Sequence, residues 1–198
     1  ASLRGLRAIL GQIKAEFGWE GTFEIFPVPS AYYLSCKEVN NNILRITTMC
    51  MSGILGGADG FITNSFNMKA EEFGNRISRN IQLLLQEESY LNKVSDPASG
   101  AYFLENLTQE LMQVSWSKFQ KIEAEGGFQS QLESGNIAKW IDLAHMERLQ
   151  KYAANKKTLL GVNKYKLDET EFAEFNPTTW NGIKTQNLSL LLGKEVVA

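Results

Sequence analysis

The sequence is poor in the residues from which many catalytic and structural centres are built. It has one histidine, His145, and two cysteines, Cys36 and Cys50, in 198 residues. A single imidazole excludes a His-rich metal site and a two-histidine acid–base scheme. Two cysteines are too few for a disulfide framework and lack metal-type spacing, which predicts a reducing, cytoplasmic setting. Neither sign of charge is in large excess, with 20 Lys and Arg against 22 Asp and Glu. That balance excludes a strongly basic nucleic-acid-binding surface. No apolar run reaches the roughly 18 residues of a membrane span. The stretch from Ala1 to Arg4 opens an amphipathic pattern and carries no signal-peptide core. What remains is a mildly acidic globular chain, long enough to bury a sizeable core.

Hydrophobic periodicity then divides the chain. Leu6, Ile9, Leu10, Ile13 and Phe17 recur at helical spacing, and Gly18 and Gly21 bracket the end of that helix. Residues 22–28 are aromatic and β-branched and end at Pro27 and Pro29, which predicts a strand running into a loop. A second helix over about 38–55 carries Val39, Ile43, Ile46, Met49 and Cys50, and Gly56-Gly57 stops it. Residues 60–64 predict a short buried strand, and about 71–88 a helix bearing Ile77, Ile81, Leu84 and Leu85. After the turn cluster at 96–100 comes a long helix with a stripe of Phe103, Leu104, Leu107, Leu111, Val114 and Ile122, ended by Gly126-Gly127. A short helix near 129–133, a helix over about 137–154 and a strand over 158–163 follow. Short apolar strands alternating with helices predict an α/β fold with a parallel sheet covered on both sides. Beyond about Asp168 the pattern weakens into an irregular tail, and the run 188–192 reads as a short helix or a strand.

Isolated motifs carry little chemistry. His145 lies in a predicted surface helix without a second histidine, so an exposed helix residue is the simpler reading. Gly53, Gly56, Gly57 and Gly60 do not form a phosphate loop. Glu87 and Glu88 are adjacent and would point about 100° apart on a helix, a poor acid–base pair. The sequons at Asn106 and Asn187 mean nothing without a secretory route.

A series of ordered motifs is more specific. Ile62-Thr63-Asn64-Ser65-Phe66 is followed by Arg76-Ile77-Ser78-Arg79-Asn80-Ile81-Gln82, then by Gln86-Glu87-Glu88-Ser89 and by the stretch from Val94 to Glu105. The segment from Ile122 to Gly127 and Gly161-Val162-Asn163-Lys164-Tyr165 complete it. Taken in register over about residues 3–166, the series resembles the methylmalonyl-CoA mutase family. The resemblance implies the later part of a (β/α)8 TIM-type barrel over residues 1–166, with 167–198 as an irregular tail or linker. A closed barrel needs about 250 residues, so the chain is expected to be a piece of a longer one. The family isomerises methylmalonyl-CoA and succinyl-CoA with adenosylcobalamin, which carries the hard chemistry while the protein orients and encloses it.

The departures from the family pattern shape the functional expectation. Glu24 and Phe26 stand where active chains typically have an Arg and then a His or Ser facing CoA, and a carboxylate there opposes a phosphate. Asp59 aligns with a Gln near the cofactor, and of the substrate-loop signature only Ser30 remains in Val28-Pro29-Ser30-Ala31. Asp142 and His145 do not have the spacing of the family's cobalt-ligand motif. Glu105, Gln86 and Asn64 keep family positions and are the candidate cofactor-binding residues; the resemblance assigns no catalytic residue and no metal ligand. It therefore implies a barrel segment of the small, non-catalytic subunit. Such a segment would support the isomerisation by docking to the large catalytic subunit as a heterodimer, with no cofactor bound to the chain alone. The alternative is part of an active cobalamin-dependent acyl-CoA mutase of altered substrate preference. Unpaired strand edges would also permit self-association.

Overall fold

The computed structural model describes residues 1–67, 70–166, 178–180 and 183–195, and the centre of its larger core is a pair of residues one helical turn apart. Ile46 and Cys50 have no exposed surface. Both lie on α2 (Asn41–Leu55), which packs on α3 (Glu71–Glu87). Ile81 and Leu85 of α3 face them, with Leu34 supplied by the loop before α2 and Phe66 by the loop between α2 and α3. The spacing of Ile46 and Cys50, and of Ile77, Ile81 and Leu85, puts each set on one helix face. Burying each Ile or Leu contributes about 2–3 kcal/mol.

Helix α1 (Ser2–Glu16) crosses α4 (Tyr102–Ala124) at a close approach centred on Gly5. A Cβ at Gly5 would come within 3.1 Å of Met112 Cγ, so even a methyl group there requires the Met112 side chain to give by a few tenths of an ångström. The join from α4 to α5 (Gly127–Glu133) turns through Gly126 and Gly127, with φ of 102° and 82°, where L side chains are strained. Helix α6 (Asn136–Ala153) follows and returns toward the Ala31–Tyr33 3₁₀ turn.

The helices form close to the ranges that the periodicity predicts, whereas the strands do not form as a parallel sheet. Segments 23–28 and 58–62 run side by side in the same direction, linked by Asp59 N–H to Ile25 O at 3.0 Å and Ile62 N–H to Pro27 O at 3.3 Å. Pro27 and Pro29 have no N–H to donate, so the ladder between them stays sparse. Residues 158–163, expected as a strand, make a tight turn instead. The Val162 and Asn163 N–H groups bond back to Leu159 O, the Leu159 N–H donates to Asn163 Oδ1, and Gly161 has a positive φ. Among the described residues the one sheet is an antiparallel hairpin, β1 (Thr179–Trp180) with β2 (Ile183–Lys184). The described chain is thus a mostly helical α/β protein. It shows no closed barrel.

The α4 stripe also departs from expectation. Phe103 is 74% and Val114 54% exposed, and Thr108 is the α4 residue that is buried. Among the described elements α1 and α5 make the main approach to α4, too few neighbours to cover the full apolar face of so long a helix.

The run at 188–192 is helical, as part of α7 (Leu188–Glu195). Leu188 and Leu192 join Tyr152, Leu159 and Val162 in a second buried cluster. Asn187 Nδ2 donates to Ala31 O and Leu34 O, while Ser189 Oγ accepts the Cys36 N–H at 2.8 Å. The Asn187 sequon is therefore buried. Residues 167–177 of the predicted tail lie outside the described residues.

Candidate functional site

A cleft of about 800 Å³ opens between α1, α4, the end of α3 and the 56–61 loop. Its charged lining is arranged by two arginines of α1, Arg4 and Arg7, three residues apart and so on one side of the helix. Arg4 donates to Asp96 through Nε at 3.2 Å and Nη2 at 2.9 Å, to Glu105 at 2.8 Å and to Thr108 Oγ1 at 3.4 Å. Glu105 also accepts the Gly100 N–H at 3.1 Å. The Arg4 guanidinium, and after it the Gly100 N–H, hold the Glu105 carboxyl below the usual carboxylate range. The same two acids raise Arg4.

Arg7 makes the second latch. Its guanidinium donates to Phe23 O at 3.3 Å, Gly57 O at 2.7 Å and Asp59 Oδ2 at 2.5 Å. The same Asp59 oxygen accepts the Ile25 N–H at 2.7 Å. That backbone N–H, followed by Arg7, lowers the Asp59 pKa. Asp59, which lines the cleft, therefore cross-links the 23–25 and 57–59 segments beside it.

Of the three family-position candidates, the structure brings Glu105 and Gln86 to this cleft and leaves Asn64 outside it. The Asn64 side chain is exposed, and its carbonyl accepts the Ser78 hydroxyl at 2.7 Å. Glu24 and Phe26 are exposed, with Phe26 packed against Gly60. The residues missed by sequence reasoning are Arg4 and Arg7. Their only local signal is the pair of arginines at i and i+3 on an otherwise apolar amphipathic helix.

His145 is neither in the cleft nor simply exposed. It is half-buried, with Nδ1 3.3 Å from the Tyr32 hydroxyl and its ring edge-on to the Tyr32 ring. Among the described residues no group of three or more His, Cys, Asp or Glu is placed to hold a metal ion. Among them also, no helix is long and apolar enough to cross a membrane.

Helix-rich α/β framing around an open cleft, with its carboxylates latched by arginines from a crossing helix, defines a protein whose cleft charges hold its own segments together. The family model of methylmalonyl-CoA mutase matches residues 1–192, and the chain belongs to that family. It is 33% identical over 178 residues to a methylmalonyl-CoA mutase of Rhizobium meliloti, covering 86% of this chain and 25% of that one. To a methylmalonyl-CoA mutase small subunit of Streptomyces virginiae it is 36% identical over 172 residues, covering 84% and 28%. A large subunit from Propionibacterium freudenreichii subsp. shermanii is 30% identical over 175 residues, covering 85% and 24%. The chain thus spans about a quarter of the length of these relatives.

Proposed function

We propose that this chain is a barrel-domain segment of a methylmalonyl-CoA mutase small subunit. It docks to the large catalytic subunit as a heterodimer and supports isomerisation of methylmalonyl-CoA and succinyl-CoA without turning over substrate itself. In this reading residues 1–166 are the later part of a (β/α)8 barrel completed by chain beyond this segment. The boundary at 166 does not make the rest a free tail, since Leu188 and Leu192 pack back on Tyr152, Leu159 and Val162, and the complex works in the cytoplasm. Similarity to both small and large mutase subunits supports the heterodimer.

The observation that carries the proposal is the Asp59 latch. At the position that the family resemblance aligns with a cofactor-facing Gln, an acid is engaged by Arg7 and the Ile25 N–H rather than presented to a ligand. Glu105 is similarly engaged by Arg4. The donor set does not fit adenosylcobalamin, the cofactor of the parent enzyme in this reading. Asn64 lies outside the cleft, and Asp59 and Glu105 are both held by arginines. Glu24 further disfavours an acyl-CoA phosphate at its position, by charge of the same sign.

The test is to mix the chain with a mutase large subunit, adenosylcobalamin and methylmalonyl-CoA, measure association by sedimentation velocity, and follow succinyl-CoA formation. A one-to-one complex is expected, with turnover only when the large subunit is present. Succinyl-CoA formed by the chain alone would overturn the reading in favour of an active mutase of altered preference.

A further inference from the structure

A second cleft, of about 630 Å³, lies away from the first, between α6, the 30–32 turn and the β1–β2 hairpin. Ile141, Ala144, His145 and Arg148 line it from α6, at the i, i+3, i+4, i+7 spacing that places them in one row. Thr178 and Lys184 line it from the hairpin side. Arg148 is positioned by aromatic faces, its guanidinium carbon 5.6 Å from the Tyr32 ring centre and 5.8 Å from that of Tyr33. The acids of α6 do not neutralise this row. Asp142 is not on the cleft, and Glu147 pairs with Lys151 one turn along. Among the described residues none that lines this cleft is acidic, and neither Arg148 nor Lys184 pairs with a carboxylate.

Two cations, an imidazole, a tyrosine and two threonines, Thr178 and Thr185, thus surround one concavity of a size suited to a small molecule. Cation–π contact holds a guanidinium in place while leaving its N–H fork available, and that fork matches a carboxylate or phosphoryl group. The geometry points to a binding site for a small oxyanion, with its charged group between Arg148 and Lys184 and any apolar part against Ile141 and Ala144. The site is separate from the latched cleft, and it does not depend on the chain being catalytically silent.

The single histidine makes the test direct, because its imidazole resonance is unique in the whole chain. Inorganic phosphate and, separately, succinate are titrated into the isotope-labelled chain at constant chloride-matched ionic strength, and the His145 ring signals are followed. A saturable shift with a Kd at or below about 10 mM is expected for at least one anion. Saturation by phosphate alone identifies a phosphoryl ligand, and saturation by succinate alone a carboxylate. Arg148→Gln and Lys184→Gln, on different elements, are each expected to weaken binding at least about tenfold, the loss of a charge-assisted bond. Circular dichroism checks that each variant is folded. No saturable shift with either anion, or wild-type affinity in both folded variants, would overturn the site.

Discussion

Arg7 and Asp59, 52 positions apart in the chain, meet at 2.5 Å on the carboxylate oxygen that also accepts the Ile25 N–H. One oxygen thereby ties α1 to two extended segments that share few backbone hydrogen bonds of their own. The sparse ladder beside the prolines is reinforced by a side chain.

That latch makes stability depend on acid pH. The Ile25 N–H and then Arg7 favour the charged form, so the Asp59 pKa is lower folded than unfolded. The stabilisation is complete above the unfolded value of about 4 and is lost as pH falls through the folded value. Asp59→Asn is expected to cost about 0.5–1.5 kcal/mol at pH 7, a small figure because the pair is partly exposed. Urea unfolding at a series of pH values checks it. The gap between wild type and variant should close toward about pH 2, and a gap constant with pH would refute the argument.

Asn42 predicts a larger loss. Its side chain accepts the Ser35 N–H at 2.8 Å and donates to Ser35 O at 2.9 Å and Phe66 O at 3.1 Å, in a residue 2% exposed. Asn42→Ala strands those backbone groups away from water, at a cost of about 2–4 kcal/mol. The urea midpoint should fall well below that of wild type. An unchanged midpoint would mean that water replaces the amide.

The last helix should be integral to the fold. Leu188 is fully buried against the α6 end and the 159–162 turn. Leu188→Ala is expected to destabilise by about 2–5 kcal/mol. Ser189→Ala removes the acceptor of the buried Cys36 N–H and should cost about 1–2 kcal/mol. Thermal unfolding reads both. If neither variant melts earlier, the segment is not part of the cooperative unit.

Both cysteines are predicted to be inert in the native state. Burial pushes the Cys50 thiol up to about 11 and raises Cys36 as well, so little thiolate forms near neutrality. Alkylation at pH 8 followed by mass spectrometry should leave both unmodified in buffer and label both in denaturant. Rapid native labelling of Cys50 would show that the α2–α3 core opens readily.

Much of the framework is legible in residue order. The i, i+4 pair Ile46 and Cys50 and the Ile77–Ile81–Leu85 series identify the packed faces of α2 and α3, because helical periodicity is a local property. The strands at 22–28, 60–64 and 158–163 are less legible. Apolar runs mark these segments for burial, yet Phe26, Val28, Ile62 and Leu160 are exposed, because burial and hydrogen-bond pairing both depend on neighbours that a local pattern does not contain. At 158–163 the deciding feature is Asn163, whose side chain takes the Leu159 N–H and makes a turn. Of the candidate site, Glu105 and Gln86 are found by motif and share one cleft, whereas Asn64 faces elsewhere.

The sequence by itself determined the helices, the apolar faces that join α2 and α3, and the membership of the mutase family, since these follow from residue spacing and motif order. Only the tertiary structure decided which charges are engaged. Arg4 with Glu105, Arg7 with Asp59 and Tyr32 with His145 are encounters between distant segments, set by helix crossing and loop placement. A carboxylate in a motif states its chemistry. Whether it is offered to a ligand or holds the fold together depends on the cation that packing brings beside it.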